Sequence, residues 1–293
     1  MIAAFYVDSG ETRYVAGNSR GEFLSKVFET PTRPENIPEM VRENTDELEE
    51  KVEGQIEKIC IATTGRVRPS DKVIEHFDTD DHDEVTGIRF SDLEREVLIE
   101  NDCNAAALGE YYFGNGSEHE CSVHVTIDTG VGAGIMYKGE LFRGEHGQAG
   151  EVGYFPVKLD DTHHSYGIEG AWEAYASVRG LREYLEKRTD LDLKEPTYNR
   201  LKDLADENRK AEEVLEMIDR INAAGISSLI NAFNPGYISI GGRMALKSEN
   251  MLQRIQETLE KSSFVEKPEI DFVNTEERVH LYGALSLERR DLE

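Results

Sequence analysis

Cysteine is nearly absent from this chain. It carries three, Cys60, Cys103 and Cys121, and no two are close enough for a CxxC pair. An odd, scattered set forms no disulfide framework, so the expected compartment is the reducing cytoplasm. Positive charge is also scarce, with 33 Lys and Arg against 59 Asp and Glu and a formal net charge of −26. There is no basic stripe and no N-terminal helix-turn-helix, and a field of this sign repels nucleic-acid phosphates and anionic lipid. Neither nucleic acid nor membrane is an expected partner. Long apolar runs are missing as well. The run IAAFYV near the start is far too short to cross a bilayer, and the opening MIAAFYVDSGETRY has no basic n-region of a signal peptide. Neither a Walker A motif nor the GxGxxG spacing occurs, which excludes the two commonest phosphate-binding loops.

What is present suits a globular protein with a heavily charged surface: 293 residues, 38% hydrophobic and 31% charged. That length holds two domains sharing a cleft, each with a sizeable core. Repulsion among so many like charges destabilises a compact state unless salt screens it, and the Debye length falls to about 3 Å at 1 M. The composition therefore reads as salt-adapted, of the haloarchaeal type.

Along the chain, residues 2–8 predict a buried strand ending in an acid and the turn residues Ser9 and Gly10. Further strands are expected at Tyr14–Gly17 and Phe23–Phe28, a helix over 35–54, and a strand at Ile56–Thr63 ending in Thr64-Gly65. A polar segment, 66–96, contains the acidic stretch 78–84. VLIEND then reads as a strand and CNAAALGEYYFG as a helix. Ser122–Asp128 and MYKGELFRG read as strands joined by a glycine-rich turn, TGVGAGI. Helix is expected from Trp172 to about Glu216 and again over INAAGISSLINAF, with YISIGG as a late strand. Strand-turn units followed by helices thus occur twice, a pattern of a duplicated α/β domain. The acidic stretches 78–84 and 202–216 read as solvated surface.

Five segments carry chemistry. Asp8-Ser9-Gly10-Glu11-Thr12 can offer backbone N–H groups and a hydroxyl to a phosphate, with the carboxylate free to hold magnesium through water; it is equally an ordinary hairpin turn. Asp128-Thr129-Gly130-Val131-Gly132 repeats the arrangement in the other half of the chain, and two such turns suit the two sides of one nucleotide. In Glu100-Asn101-Asp102-Cys103-Asn104, an Asp ending a buried strand before an Ala-rich helix can orient a hydroxyl and accept its proton. The alternative is an Asp capping that helix. Asn101 offers a donor and an acceptor to a sugar hydroxyl. Glu151 lies among glycines in GEHGQAGEVGY, and Glu173 falls in the first turn of a helix, where an acid is also a common dipole partner.

In order and number these segments resemble the ROK family (repressor, open reading frame, kinase), whose kinase members phosphorylate glucose and related hexoses. The resemblance covers nearly the whole chain. DTGVGAGIMYKGELFRGEHGQAGEVGY is similar to the family's long central signature, and INAFNPGYISIGG to the stretch before its adenosine-side glycines. It implies the α/β actin-like ATPase (ribonuclease H-like) fold with two domains flanking a central cleft. These would be residues 1–113, on the sugar and phosphate side and joined by the C-terminal helix, and 114–293, on the nucleotide side with dimer contacts. It implies Asp102 as general base, and Gly65, Asn101, Asp102, Glu151, Tyr154 and Glu173 as sugar-binding residues. Asp8, Gly10, Thr12, Thr129, Gly130 and Gly132 would serve the phosphates, Asp8 would hold magnesium through water, and Gly241 and Gly242 would meet the adenosine. ATP and Mg2+ are the implied cofactors, and a homodimer or homotetramer the implied assembly.

Two departures qualify that resemblance. The family's zinc-binding histidine is Tyr154 here, and its cysteine-rich motif is matched by His164-Ser165-Tyr166-Gly167-Ile168-Glu169-Gly170-Ala171-Trp172-Glu173. With no thiolate ligands, no zinc is expected. His163 and His164 read as polar loop residues, with Trp172 and Tyr166 filling the space. Glu11 stands where the family has glycine, beside the phosphates. The function implied is ATP-dependent phosphorylation of a hexose, glucose to glucose 6-phosphate. Alternatives are N-acetylmannosamine or fructose as substrate, or a non-catalytic sugar-binding regulatory paralogue. A repressor of the family needs an N-terminal DNA-binding domain, whereas this chain starts at the first phosphate strand.

Overall fold

Six consecutive strand-forming residues, Ile2–Val7, build β1, and their alternation decides what packs on each side. In this computed structural model, which describes residues 1–79, 84–159, 161–191, 193, 196–244, 249–261, 266–273 and 278–292, the chain divides into two compact units. The first comprises Met1–Glu118, Gly134–Ala149 and Glu277–Glu293; the second comprises His119–Ala133 and Gly150–Glu276.

In the first unit, β1 pairs antiparallel with β2 (Glu11–Gly17), which pairs with β3 (Phe28–Pro31). On its other side β1 runs parallel to β4 (Lys58–Thr63), and β4 runs parallel to β8 (Glu96–Asn101). Ala3, Phe5 and Val7 join a core with Ile37, Met40, Val41 and Leu48 of α1 (Ile37–Lys51). Ile2 and Ala4 face the other way, onto Ala105 and Leu108 of α2 (Asp102–Phe113) and Leu281, Ala284 and Leu285 of the helix Val279–Ser286. Burial on both faces explains why β1 is an unbroken apolar run.

The register Val7↔Thr63 and Thr63↔Asn101 ends the three parallel strands level with one another. Asp8, Thr64-Gly65 and Asp102 therefore leave the sheet at its carboxyl edge, where open α/β sheets bind ligands.

Two expectations change here. The third strand begins at Phe28 instead of ending there, because residues 18–27 turn back, with Leu24 N–H bonded to Ala16 O. The polar segment 66–96 contains an antiparallel sheet of β5 (Arg66–Arg68), β6 (Val73–Asp78) and β7 (Glu84–Arg89). Ile74, Phe77 and Ile88 join the core with Phe5, while Arg66 and Arg68 pair with Glu75 on the outside. Residues 80–83 of the acidic stretch lie outside the described residues.

In the second unit, β9 (Cys121–Ile127) runs parallel to β14 (Tyr237–Gly241), which runs parallel to β15 (Glu269–Phe272). β12 (His164–Ser165) with β13 (Ile168–Glu169) forms a hairpin in the same unit, whereas β10 (Val131–Tyr137) begins there and continues into the first unit, in which Met136 and Tyr137 pair with β11 (Glu140–Leu141). β10 corrects the expected glycine-rich turn: VGAGIMY is strand, and only Asp128–Gly130 turn.

The expected helix from Trp172 to Glu216 is cut by its caps into α3 (Trp172–Ala176), α4 (Val178–Arg188), α5 (Tyr198–Ala205) and the start of α6 (Arg209–Phe233). Ser177, Thr197 and Asn208 each accept backbone N–H bonds with their side chains, which fixes three of those starts. Asn234, left-handed at φ 45°, and Pro235 end α6. α7 (Glu249–Lys261) precedes β15, and α8 is the helix Val279–Ser286 of the first unit. Glu207, Glu212, Glu213 and Glu216 are exposed, as expected of solvated surface. Among the described residues no helix is long and apolar enough to cross a membrane.

Candidate active site

The junction of β8 and α2 is built around Asn101. Its side-chain oxygen accepts the N–H groups of Cys103 (3.0 Å) and Asn104 (3.2 Å), so Asn101, not Asp102, caps the helix. The alternative reading of Asp102 as the cap is thereby corrected. Asn101 Nδ2 donates to Gly65 O (3.1 Å) and to Asp102 Oδ1 (2.8 Å), which joins three of the expected site residues. Both amide protons and the carbonyl of Asn101 are thus engaged within the protein. Asp102 is the first residue of α2 and half-buried, where the N-terminal end of the helix dipole favours its negative charge. Gly65 has φ 88°, and a Cβ there would sit 2.1 Å from His76 O. Behind the junction Glu100 is buried and meets Asn101 N–H, Asn104 Nδ2 and the guanidinium of Arg143.

At the β1–β2 turn, Asp8 Oδ1 accepts Ser9 N–H (2.7 Å), and Asp8 is partly exposed. A carboxylate and a hydroxyl at an open turn are the hard oxygen chemistry that magnesium takes. Gly10 is exposed at the tip, its carbonyl bonded to Thr32 N–H (3.2 Å). Thr12 is placed differently from expectation: it is fully buried, and its hydroxyl is 2.8 Å from that of Thr32, which in turn donates to Asp8 O (2.6 Å). It props the turn from beneath. Glu11 pairs with Arg13 Nε at 2.9 Å, which offsets a charge otherwise hostile to phosphate.

In the second unit, Thr126 and Gly241 are register partners, so β9 and β14 deliver Asp128 and Gly242 side by side. Asp128 accepts Thr129 N–H (2.8 Å) and three bonds from Arg243. Gly242 has φ 98°, and any Cβ would lie 2.2 Å from Ile127 O. Thr129 and Gly130 are half-buried in the turn, and Gly132 lies on β10.

Glu173 adjoins the same turn. Buried, it accepts Val131 N–H (2.9 Å) and the Ser165 hydroxyl (2.8 Å), and Arg179 lies 3.6 Å away. Glu151 is exposed at the head of the short turn Val152–Tyr154. Tyr154 meets Tyr166 edge-on at 6.0 Å, and Tyr166 OH accepts Arg179 Nη2 (3.1 Å).

The stretch matching the zinc motif departs from two expectations. Tyr166 is 53% exposed and fills no interior space, although Trp172 is fully buried. His163 does lie in a loop, before β12, but it is buried, and its Nε2 reaches Ala174 O (2.8 Å) and Gly180 O (3.2 Å), where only N–H can bond. Among the described residues no group of three or more His, Cys, Asp or Glu side chains is placed to hold a metal ion.

Sequence reasoning missed Glu100 and Arg143, Arg243, Ser165 and Arg179. Glu100 had one signal, a charge inside the apolar run VLIE; the others lie beside motif residues but have ordinary local patterns.

The level strand ends, the two acid-bearing turns and the two five-stranded sheets match the actin-like ATPase fold of sugar kinases. The ROK family profile matches residues 6–289, and the chain belongs to that family. It is 29% identical over 275 residues to a glucokinase of Streptomyces coelicolor, covering 87% of this chain and 86% of that protein. It is 31% identical over 181 residues to a xylose repressor of Caldicellulosiruptor bescii, covering 58% of this chain but only 45% of the repressor. A ROK family glucokinase from Streptomyces griseus, solved in complex with glucose and AMPPNP, superposes with a TM-score of 0.80 at 24% identity, covering 99% of each chain.

Proposed function

We propose that the chain is a cytoplasmic ATP-dependent hexose kinase converting glucose to glucose 6-phosphate, with Asp102 as general base. The observation that carries this reading is the setting of Asp102, half-buried at a helix start with its carboxylate oriented by Asn101. Asp102 takes the proton of the C6 hydroxyl as that oxygen attacks the γ-phosphorus and ADP departs. Glu151, Glu173, Tyr154 and Gly65 serve the sugar, and Asn101 acts there through Asp102, to which it donates. The turns at Asp8–Gly10 and Thr129–Gly130 serve the phosphates, and Gly241-Gly242 serves the adenosine. Magnesium, held through water by Asp8, would neutralise charge on the phosphate oxygens. Residues 1–113 then form the sugar and phosphate side and 114–293 the nucleotide side, in a homodimer or homotetramer with no zinc. Similarity to a glucokinase along 87% of the chain supports this reading.

A second reading is a sugar-responsive protein without turnover, supported by the similarity to a xylose repressor over 58% of the chain. A coupled assay in molar salt with ATP, magnesium and glucose, fructose, mannose, xylose and N-acetylmannosamine separates the two. The kinase reading expects one hexose to turn over, and Asp102→Asn to lower kcat by about a thousandfold. Wild-type turnover no higher than that of Asp102→Asn on every sugar sinks it. Preference for another hexose keeps the reaction and changes only the substrate.

A further inference from the structure

We propose that Arg143 and Glu100 are a positioning pair that sets the carboxylate of Asp102, although neither is placed to react. The inference rests on reading Asp102 as the base.

Glu100, the penultimate residue of β8, is 2% exposed. A carboxylate buried that deeply is costly unless paired and hydrogen-bonded on both oxygens. Here one oxygen receives the Arg143 guanidinium. The other receives Asn101 N–H and Asn104 Nδ2, both at 3.1 Å. Those two donors flank Asp102 in sequence, one at the strand end and one in the first turn of α2. A single carboxylate therefore pins the strand to the helix around the base. With its backbone fixed, Asn101 caps α2 and donates to Asp102 Oδ1. The path from guanidinium to base runs Arg143, Glu100, Asn101, Asp102, one hydrogen bond at each step. Arg143 is itself anchored, since its carbonyl accepts Ala149 N–H (3.0 Å) and closes the 143–149 loop. Buried ion pairs are weak sources of stability, because apolar residues of the same volume often serve as well or better. What this pair adds is a fixed geometry beside Asp102.

The test compares wild type with Arg143→Met, Arg143→Lys and the double variant Arg143→Met/Glu100→Gln. Amide hydrogen exchange is followed at residues 101–104, alongside kcat, KM and the pH profile of kcat. For Arg143→Met, exchange at Cys103 and Asn104 should quicken by about tenfold. Its kcat should fall by roughly ten- to a hundredfold with KM for sugar and ATP nearly unchanged, and the acid limb of the kcat profile should move to higher pH. Arg143→Lys should restore most of kcat. The double variant, which removes the stranded charge yet keeps an oxygen acceptor for Asn101, should lie between Arg143→Met and wild type. A folded Arg143→Met with wild-type exchange at 101–104 and wild-type kcat overturns the proposal. If that variant does not fold, a double variant with wild-type kcat and exchange overturns it instead. Should the wild type turn over no sugar, the kinase reading fails by itself, and the exchange data alone decide whether the pair holds the junction.

Discussion

Asp128 and Arg243 are locked together by three hydrogen bonds, two from the guanidinium (2.8 and 2.5 Å) and one from the arginine's own backbone N–H (2.9 Å). Because Asp128 also accepts Thr129 N–H, one carboxylate holds the turn after β9 to the turn after β14. Asp128→Ala removes all four of these hydrogen bonds, those to both backbone donors included, and should lower stability by about 2 kcal/mol. Arg243→Ala leaves both backbone bonds in place, and its side chain is 52% exposed, so its cost should be about 0.5 kcal/mol. Urea unfolding of the two variants checks the order. Equal losses would mean that the guanidinium, not the backbone donors, secures the turn.

Gly65→Ala and Gly87→Ala form a matched pair. Both glycines have positive φ, 88° and 71°, but an added methyl at Gly65 strikes His76 O at 2.1 Å, whereas at Gly87 it meets nothing within 4 Å. Gly87→Ala should cost about 1 kcal/mol, the ordinary penalty of left-handed backbone. Gly65→Ala should cost at least about 3 kcal/mol, since backbone must move. Thermal melts that rank the two alike would refute the close approach at Gly65.

Gly225→Ala runs against the usual rule. In a helix interior this change is normally stabilising by about 1 kcal/mol. At this position of α6 the new Cβ would lie 2.3 Å from the ring of Trp172, which is fully buried and tied by Nε1 to Asn222 Oδ1 (2.7 Å). The variant should lose about 2 kcal/mol by overpacking. A denaturation midpoint above wild type overturns this packing account.

Asp161 gives a pH dependence. Burial raises its pKa, but hydrogen bonds from Lys158 and the His163 N–H, with the charges of Lys158 and Arg188, outweigh burial and hold it well below the usual 3.8. A carboxylate depressed on folding contributes stability above its unfolded pKa and loses it as pH falls through the folded value. The stability difference between wild type and Asp161→Asn should be constant above about pH 5 and shrink below about pH 4. A difference that instead widens on acidification reverses the sign and excludes the assignment.

Legibility in the sequence followed the number of distant partners a residue has. β1 is readable because burial on both faces makes IAAFYV uniformly apolar, and α2 because of its alanines. The β5–β7 sheet was not, since Arg66, Arg68, Asp71 and Glu75 pair with one another on its open face and mask the inward Ile74 and Phe77. At the site, Asp102 and Asn101 were picked out, but which of them caps the helix depends on side-chain geometry. Thr12 reads as a turn hydroxyl until the partner 20 residues away, Thr32, turns it inward. Arg143 is 43 residues from Glu100 and carries no local mark of the pairing.

The buried ring of Trp172 also supplies a measurement. It is the chain's one tryptophan, and it belongs to the second unit. Emission excited at the red edge of indole absorption therefore reports unfolding of that unit alone, whereas far-ultraviolet circular dichroism averages over both. Coincident transitions would indicate one cooperative structure, and separated ones two that melt independently. The unmodified protein thus carries its own probe of whether its halves depend on each other to stay folded.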